Sequence, residues 1–510
     1  MLDRSSSWLA HLSQNAALIL LSLAFLPLST AVLFVSYALG AFKHPSPGRC
    51  RLRRSRHFYP KTILVTGVGM AKGLTLARTF YQAGHNVIGA DFESDGIPVN
   101  GRFSRSLLRF YRLSKAESPN GASEYLQDLL SLIKREKVDL WVSCSGVATA
   151  IEDGLAKEII ESQTSCKAIQ FDVRTTSTLH EKNSFIDKTR SLGLTVPETY
   201  HVTSRAAVHK ILHTADVKQY IMKPVGMDDA TRGDMTLLPR PTISETYNHV
   251  AKIKISKEYP WVLQQYIRGT EYCTHAVIVK GAVKAFVACP SAELLMHYEA
   301  LSPRSALSRA MLQFTRQFAA RYGGDLTGHL SFDFLVDEKV TEKGVEQILY
   351  PIESNPRAHT ADVLLEGMGG KLAEAYLSVL GPESNGKVNG NVNGNVNGNV
   401  KGINDSLQRV VVAPSQCPKY YWLGHDVVSL VLHPLFRLFT GLITLSQFFH
   451  HVLTFLTHLV SYKDPTFESW DPLPWWWLYQ VYWPGKFLMA MACRRKWSRV
   501  NVSTTKMFAC

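Results

Sequence analysis

Tyr350-Pro351-Ile352-Glu353-Ser354-Asn355-Pro356-Arg357 is the most informative segment of the sequence, together with Ser331-Phe332-Asp333-Phe334 about twenty residues earlier. Both are apolar, strand-like segments that carry oxygen ligands: Asp333 on one, Glu353 and Asn355 on the other. Residues two apart on a strand point to the same face. Carboxylate and amide oxygens suit hard divalent cations. The pattern therefore predicts a site for Mg²⁺ or Mn²⁺, one or two ions, held against nucleotide phosphates.

Three basic residues are candidates for binding phosphate. Arg357 lies two residues beyond Asn355 and has a planar fork that can clamp a carboxylate or a phosphate. Lys223 ends a strand-like segment, and Lys182 opens a helix-like one. A compact ammonium at a strand end and another at a helix start can neutralise separate phosphates of one triphosphate. Solvated lysines and an acidic strand end before a turn at Pro356 are the structural alternative.

A third stretch, Trp261 to Tyr272, runs from a hydrophobic strand through a short linker to Glu271. Exposed backbone groups of such a linker can pair with a flat adenine, and a carboxylate can accept the ribose hydroxyls. An ordinary hairpin turn at Gly269 is the alternative. The order of these pieces along the chain is more specific than any one of them.

In this order, residues 180–370 resemble the ATP-grasp superfamily, in particular the biotin carboxylase and carbamoyl-phosphate synthetase type. The resemblance implies ATP as cofactor, bound by Lys182 and Lys223 at the phosphates, Gln264, Gln265 and Ile267 at the adenine, and Glu271 at the ribose. It implies Asp333, Glu353 and Asn355 as metal ligands and Arg357 as the catalytic arginine. The loop 227–234 departs from the family because it carries three acids, so no phosphate contact is assigned to it.

The resemblance also implies a reaction. An ATP-grasp ligase transfers the γ-phosphoryl group to a carboxylate, and an amine then displaces phosphate from the acyl phosphate. Such chemistry needs positioning and charge stabilisation rather than a nucleophilic side chain. The expected activity is an ADP-releasing carboxylate–amine ligase that acts on a small carboxylate, plausibly an amino acid, and an amine.

Composition favours an enzyme with membrane attachments over a nucleic-acid-binding protein. The 510 residues suggest two or three domains, and the formal charge is +14. Much of that charge forms one basic block directly after an apolar stretch: Lys43, Arg49, Arg51, Arg53, Arg54 and Arg56. Anionic lipid headgroups are the simpler partner for such a block. The eight cysteines form no CxxC pair, which favours a reducing compartment without a zinc site.

Residues 16–42 contain no charge and are long enough to cross a bilayer. A cleaved secretory signal is the alternative, but the apolar run is long for a signal core. We expect residues 1–60 to be a membrane anchor with a basic juxtamembrane segment. The catalytic part would then face the cytosol from the endoplasmic reticulum or another internal membrane.

Residues 61–175 are expected to form a Rossmann-like α/β domain that precedes the ATP-grasp domain of residues 176–380. The domain opens with a buried strand and a glycine-rich turn, Gly67-x-Gly69-x-x-x-Gly73, and Asp91 ends the second strand. The same features would suit a nicotinamide cofactor, so an NAD(P)-dependent oxidoreductase is a serious alternative. The glycine pattern alone is weak.

A flexible linker is expected at residues 381–409, where Asn-Val-Asn-Gly recurs. Residues 410–510 are expected to be a membrane-associated helical region, with one helical stripe from Leu435 to Val460. His450, His451 and His458 lie on the other face of that stripe, and a histidine metal site there is one interpretation.

Two further features of the C-terminal region favour membrane association. The run Trp475-Trp476-Trp477 resembles an interfacial aromatic belt, and Arg494-Arg495-Lys496 would be a second basic anchor. The arrangement resembles membrane-associated ATP-grasp enzymes of fungal natural-product clusters, including one of the fumisoquin pathway. That implies a role in secondary-metabolite biosynthesis. A catalytically inactive membrane scaffold remains an alternative.

Overall fold

The computed structural model describes residues 5–42, 47–116, 121–144, 146, 149–214, 218–224, 235–291, 296–341, 344–381 and 410–510. The chain has a mixed α/β architecture with three main sheets. The predicted linker 381–409 lies outside the described residues, apart from Gly381. The acidic loop 227–234 also lies outside them.

The chain begins with a long apolar helix, α1 (Trp8–Phe42), followed by the basic helix α2 (Pro47–Arg54). Within Trp8–Gly40 of α1, an 18-residue window has a mean hydropathy of 2.5, so this helix is long and apolar enough to cross a membrane. By length and composition α1 is thus a candidate span, although signal sequences and core helices share these properties. Two arginines of α2 bind protein: Arg49 donates to the carbonyl of His85 (2.8 Å), and Arg53 to that of Gly84 (2.9 Å).

The first sheet has five parallel strands in the order β3-β2-β1-β4-β5. These strands are β1 (Thr62–Thr66), β2 (Asn86–Asp91), β3 (Arg109–Arg112), β4 (Leu140–Ser143) and β5 (Lys167–Ile169). The helices on its faces are α3 (Ala71–Gln82), α4 (Gly121–Glu136) and α5 (Ala150–Gln163). Alternation along β1 explains the two layers, because Ile63 and Val65 pack with Phe80 of α3, whereas Leu64 packs with Leu129 of α4.

A smaller antiparallel sheet follows, in the order β6-β8-β7. Its strands are β6 (Thr199–Val202), β7 (Tyr220–Pro224) and β8 (Trp261–Gln265). Helices α6 (Val173–His180) and α7 (Lys182–Ser191) precede it, and α8 (Arg205–His213) and α9 (Ile243–Lys252) cover it. Each covering helix starts at a side-chain cap: Ser204 for α8 and a Thr242–Glu245 capping box for α9.

The third sheet has the order β12-β11-β9-β10-β13. Its strands are β9 (Thr270–Val279), β10 (Ala282–Pro290), β11 (Gly328–Thr341), β12 (Gly344–Asn355) and β13 (Val411–Val412). The hairpin turn at Lys280-Gly281 joins β9 to β10, with φ of 50° and 73°. The apolar positions between residues 305 and 322 recur at helical spacing and form α10 (Ala306–Tyr322), which packs on this sheet together with α7. Helix α11 (Gly369–Leu377) packs toward α3.

The C-terminal region adds short helices and two small strand pairs. The helices are α12 (Leu423–Asp426), α13 (His433–Phe439), α14 (Leu445–Ser461), α15 (Leu473–Trp477) and α16 (Trp483–Ala492), with π-helical turns at Val427–Leu432 and Leu478–Tyr482. The strands are β14 (Lys419–Tyr420), β15 (Tyr462–Lys463), β16 (Trp497–Asn501) and β17 (Lys506–Ala509).

The single helical stripe predicted from Leu435 to Val460 is wrong. Gly441, at φ 69°, ends α13, where the N–H of Leu442 donates to the carbonyl of Arg437 and that of Gly441 to the carbonyl of Leu438. This pattern is a Schellman motif, which needs a left-handed residue that glycine supplies. A Thr444–Gln447 capping box then starts α14.

Of the three tryptophans predicted to form an interfacial belt, Trp475 is buried, whereas Trp476 and Trp477 are partly exposed and hydrogen-bonded within the chain. Trp475 is 8% exposed, Trp476 Nε1 donates to Thr30 Oγ1 of α1 (3.0 Å), and Trp477 Nε1 donates to the carbonyl of Pro98 (2.9 Å). The indole N–H groups of Trp476 and Trp477 thus find partners on α1 and the first domain. These residues therefore join the C-terminal region to the rest of the chain.

The second predicted basic anchor is also used internally. Arg495 pairs with Asp95 at 2.8 Å, and Lys496 donates to the carbonyl of Ser6 at 2.7 Å. Apolar side chains remain exposed on α1, including Leu20, Leu28 and Phe34, and α14 buries none of its residues. Such uncovered apolar faces are typical of surfaces that meet a lipid or a partner.

Candidate active site

The predicted site residues gather where the small antiparallel sheet faces the third sheet. Helix α7 begins at Lys182, and its ammonium lies 2.9 Å from Oε2 of Glu353 on β12. Lys223, near the end of β7, donates to Oε1 of Gln264 on β8 at 2.8 Å. The charge of Lys182 lowers the pKa of Lys223, and the charge of Glu353 acts in the opposite direction. Cations from two segments therefore meet a carboxylate from a third.

The oxygen ligands share one face of the third sheet because of strand register. Asp333 lies opposite Glu353, and Ser331 lies opposite Asn355. Strand β12 has one extra residue at this point, Ile352. Glu353 pairs with Asp333, and Pro351 pairs with the next residue of β11, Phe334. Bulges of this kind re-aim side chains beside functional sites.

A short chain of hydrogen bonds orders the end of this face. Asn355 Nδ2 donates to Asp333 Oδ2 at 3.1 Å, and Arg357 Nη2 donates to Asn355 Oδ1 at 2.9 Å. The backbone N–H of Arg357 also donates to the carbonyl of Asn355 at 2.8 Å. The guanidinium of Arg357 is thereby held beside Asn355 and Asp333, and its Nε atom has no hydrogen-bond partner among the described residues.

Both ends of the site carry shifted pKa values. Burial, followed by the charges of Glu353 and Glu271, raises the pKa of Asp333 to about 7. Burial and the neighbouring ammonium of Lys182 lower the pKa of Lys223 to about 8. Crowded carboxylates and crowded ammonium groups each disfavour their own charged forms. Strongly shifted groups that converge in a cleft are typical of functional sites.

These features fit a divalent cation bound together with a polyphosphate. A cation among Asp333, Glu353 and Asn355 would relieve the repulsion between the acids, and a phosphate chain would do the same for the two lysines. Arg357 Nε and Ser331 Oγ, which lies on the same strand face as Asp333, are buried without a hydrogen-bond partner among the residues that the structure describes. Buried donors without partners are costly unless something completes them.

The residues predicted to bind adenine and ribose separate into two groups. Gln264 points toward Lys223, and Ile267 is buried in the connection from β8 to β9. Glu271 accepts from Ser291 Oγ at 2.7 Å, and its charge acts on both Lys223 and Asp333. Their roles in nucleotide binding stay predictions.

Gln265 behaves differently from its neighbour. Its side chain accepts from the backbone N–H of Glu198 at 3.2 Å, and its own N–H donates to the carbonyl of Glu198 at 2.7 Å. Consecutive strand residues point to opposite faces, so Gln265 faces away from Lys223 and toward the segment before β6. The structure brings Gln264 into the charged cluster and leaves Gln265 outside it.

Residues that the sequence analysis missed approach the site from elsewhere in the chain. Lys72 of α3 is 2% exposed and donates to the carbonyl of Ala358, next to Arg357, at 2.8 Å. Burial and the charge of Arg357 lower its pKa to about 8. Ligand atoms of Cys273 and His359 lie within 4.8 Å of one another and of Asp333. His359 was discoverable, because it lies only two residues after the arginine of the Glu-x-Asn-Pro-Arg motif.

The rival nucleotide site, the glycine-rich turn of the first domain, is closed by the protein itself. The N–H of Gly69 donates to Asp91 Oδ2 at 2.6 Å, and the N–H of Ala71 donates to the carbonyl of Ser503 at 3.0 Å. A Cβ atom on Gly73 would lie 2.3 Å from the carbonyl oxygen of Gly67. The cavity beside the turn measures about 30 Å³. That volume accommodates roughly one or two waters, far less than a dinucleotide.

The sequence matches no protein-family model, and it matches no curated protein. Solved structures with a similar shape include an L-amino acid ligase from Bacillus licheniformis (TM-score 0.43, 14% identity, covering 63% of this chain and 74% of that chain). They also include the N5-carboxyaminoimidazole synthetase from Staphylococcus aureus complexed with ADP (TM-score 0.43, 14% identity, 63% and 78%).

A third similar structure is the biotin carboxylase domain of the Hydrogenobacter thermophilus 2-oxoglutarate carboxylase, solved with MgADP, ADP and bicarbonate (TM-score 0.43, 12% identity, 63% and 70%). Similarity at this level carries no argument about the activity of the present chain. The chain is thus similar to a ligase, a synthetase and a carboxylase, and its own function has to be argued from its site.

Proposed function

We propose that this protein is an ATP-dependent ligase that activates a small carboxylate as an acyl phosphate and couples it to an amine. The observation that carries the proposal is the convergence of Lys182, Lys223 and Glu353, three residues from three separate segments, beside Asp333 and Asn355. The same residues carry the resemblance to ATP-grasp enzymes. A structural ion pair alone would not need two lysines and several acids in one cleft.

The cleft is the space among Lys182, Lys223, Asp333, Glu353 and Asn355. In this proposal each of its two ends binds a different part of the metal–nucleotide complex. Lys182 and Lys223 bind the phosphate chain, while Asp333, Glu353 and Asn355 hold Mg²⁺ or Mn²⁺. The metal, when bound, supplies positive charge where negative charge develops on the transferring group. Gln264 orients the ammonium of Lys223 by accepting its hydrogen bond.

Arg357 lies where a substrate carboxylate could meet the γ-phosphate. Its Nη2 is fixed by Asn355, whereas its Nε remains unpaired among the described atoms. A carboxylate oxygen bound there attacks the γ-phosphorus and ADP leaves. The amine then attacks the acyl carbon, and the C–O bond breaks to release phosphate. Burial lowers the pKa of Arg357, and the charges of Asp333 and Glu353 oppose this shift only in part.

The membrane attachment is a further part of the proposal. It is supported by the apolar length of α1, by the exposed apolar faces of α1 and α14, and by an apolar cleft of about 580 Å³ between α1 and the C-terminal helices. We place the protein on the endoplasmic reticulum or another internal membrane with the cleft facing the cytosol, and in secondary-metabolite biosynthesis. Protease digestion of sealed microsomes tests the orientation, since a cytosolic catalytic part is degraded without detergent.

The reaction is tested by incubating the purified full-length protein with ATP, Mg²⁺ and pooled amino acids whose carboxylates carry ¹⁸O. The proposal predicts ADP and phosphate, with one ¹⁸O atom in each phosphate released, because the substrate oxygen stays on phosphorus. Release of AMP and pyrophosphate would point to adenylation instead. Binding of NADPH would favour an oxidoreductase, and the absence of all turnover with any amino acid or amine would favour a scaffold.

A further inference from the structure

A second cluster of ligating side chains lies outside the proposed active site. His297 Nε2 is 3.0 Å from Oδ1 and 3.1 Å from Oδ2 of Asp426, and His458 Nδ1 is 2.7 Å from Oδ2 of the same carboxylate. The two imidazole rings have centroids 4.6 Å apart. One ligand atom from each residue lies within 4.8 Å of the other two.

The three residues come from distant parts of the chain. Asp426 is 129 residues from His297 and 32 from His458. His297 precedes α10, Asp426 ends α12, and His458 lies in the last turns of α14. Their convergence is a product of the tertiary fold and is not forced by local geometry.

The carboxylate at the centre is in an unusual position. The Asp426 side chain is 0% exposed, and among the described residues its ion-pair partners are the two histidines, with no Lys or Arg. A buried carboxylate is costly unless a cation compensates it. Neutral imidazoles supply hydrogen bonds but no charge, so the site calls for positive charge from protons or from a metal.

A neighbouring histidine adds an independent observation. The Nε2 atom of His425 is buried without a hydrogen-bond partner in the described part of the chain. The charges of Asp426 and His297 both act on this ring. An unpaired buried imidazole nitrogen beside a His–Asp–His group is a further donor available to a ligand.

The spacing fits a transition metal. Ligand atoms about 2.1 Å from one ion, at angles between octahedral and tetrahedral, lie roughly 3.0 to 3.4 Å apart. The distances of His297 from the carboxylate lie in this range, and that of His458 is slightly shorter. Two imidazoles and a carboxylate select first-row transition metals over Mg²⁺ or Ca²⁺. The side chains of His297 and His458 are 17% and 16% exposed, which leaves a way in from solvent.

We propose that His297, Asp426 and His458 form a binding site for one divalent first-row transition-metal ion, distinct from the Mg²⁺ site of the cleft. The ion ties the segment at His297 to the C-terminal helices. That segment matters because the next residue, Tyr298, bonds the backbone of Tyr420 in both directions at 2.9 Å and packs against His359 beside Arg357. The site therefore fixes one wall of the active-site region to the apolar part of the protein.

The test uses the full-length protein purified in detergent, stripped with a chelator and titrated with Zn²⁺ without ATP. Elemental analysis should find about one zinc per chain in wild type and in the control variant His450→Ala, whose histidine is exposed on the same helix. Asp426→Asn, His297→Gln and His458→Gln should each bind zinc about 100-fold more weakly or worse, since even outer-shell changes cost 10–100-fold. Co²⁺ should give visible absorption bands that the same variants lose.

Two comparisons keep the result interpretable. The glutamine variants retain an amide that can hydrogen-bond to Asp426, so they serve if Asp426→Asn does not fold. Glu353→Gln should keep its zinc while losing ATP-dependent turnover, which separates this site from the cleft. Absence of zinc from wild type, equal zinc in wild type and the His297→Gln and His458→Gln variants, or loss of zinc in His450→Ala would overturn the proposal and leave a hydrogen-bonded His–Asp–His group.

Discussion

The sequences of the turn at Gly67–Gly73 and of the cleft at Lys223 both predict nucleotide binding. In the structure, the two regions differ in whether their polar groups already have partners within the chain. In the turn, the N–H groups of Gly69 and Ala71 have partners within the chain. In the cleft, the charges are crowded and Arg357 Nε has no partner among the described residues. The turn has used its N–H groups within the chain, whereas the cleft keeps an unpaired donor and crowded like charges that a ligand can complete.

The largest expected effect is on catalysis in the cleft. Lys223→Met and Glu353→Gln should each lower kcat/KM for ADP release about 10²–10³-fold, because the first removes a cation that binds phosphate and the second removes a ligand of the metal ion. ADP formation with the amino-acid pool measures the loss. The matched controls are Lys218→Met and Glu338→Gln, which change exposed residues nearby. Full activity in the cleft variants would refute the site.

The turn should respond in stability instead of activity. Gly73→Ala places a Cβ atom against the carbonyl of Gly67, so the backbone must shift, and the free energy of unfolding should fall by about 1–3 kcal/mol. Gly146→Ala is the control, since no atom of the described residues lies within 4 Å of its added Cβ. Denaturant unfolding measures the change. If Gly73→Ala stays stable but loses ATP binding, the assignment of the two regions is reversed.

The pKa of Asp333 predicts how metal affinity depends on pH. A carboxylate must lose its proton to bind a cation, and the pKa of Asp333 is raised to about 7. Affinity for Mn²⁺ in the nucleotide-free protein should therefore rise about tenfold between pH 6 and pH 8 and then level off. Electron paramagnetic resonance of free Mn²⁺ measures this. A flat profile, or the same rise in Asp333→Asn, contradicts the ligand role.

The smallest effect separates two adjacent glutamines. Gln264→Ala removes the acceptor of the Lys223 ammonium and should raise KM for ATP about threefold to tenfold, as expected for one hydrogen bond. Gln265→Ala should leave KM unchanged and lower the free energy of unfolding by about 1 kcal/mol, because its bond is to Glu198. Equal effects of the two variants on KM would mean that both side chains face the nucleotide.

Much of this arrangement could be predicted because strand and helix periodicity is local. The hairpin at Lys280-Gly281, helix α10 and the start of α7 at Lys182 follow directly from spacing and turn residues. The shared face of Glu353 and Asn355 follows from the two-residue repeat, and the register with Asp333 then adds the third ligand.

What could not be predicted depends on partners far away in the sequence. Lys72 reaches Ala358 across 286 residues, and Ser503 closes a turn near the other end of the chain. The tryptophans at 475–477 resemble an interfacial belt in sequence because their partners, such as Thr30, are far away in the chain and cannot be inferred from composition. The break at Gly441 was readable, since glycine followed by a Thr-x-x-Gln capping box marks a helix end and a new start.

The most direct test of the central claim is a calorimetric titration of MgATP into wild type, Glu353→Gln and Gly73→Ala at one temperature and pH. Binding in the cleft predicts one ATP per chain for wild type, greatly weakened uptake in Glu353→Gln and unchanged affinity in folded Gly73→Ala. No uptake by wild type, or uptake that survives in Glu353→Gln and disappears in Gly73→Ala, would contradict the account.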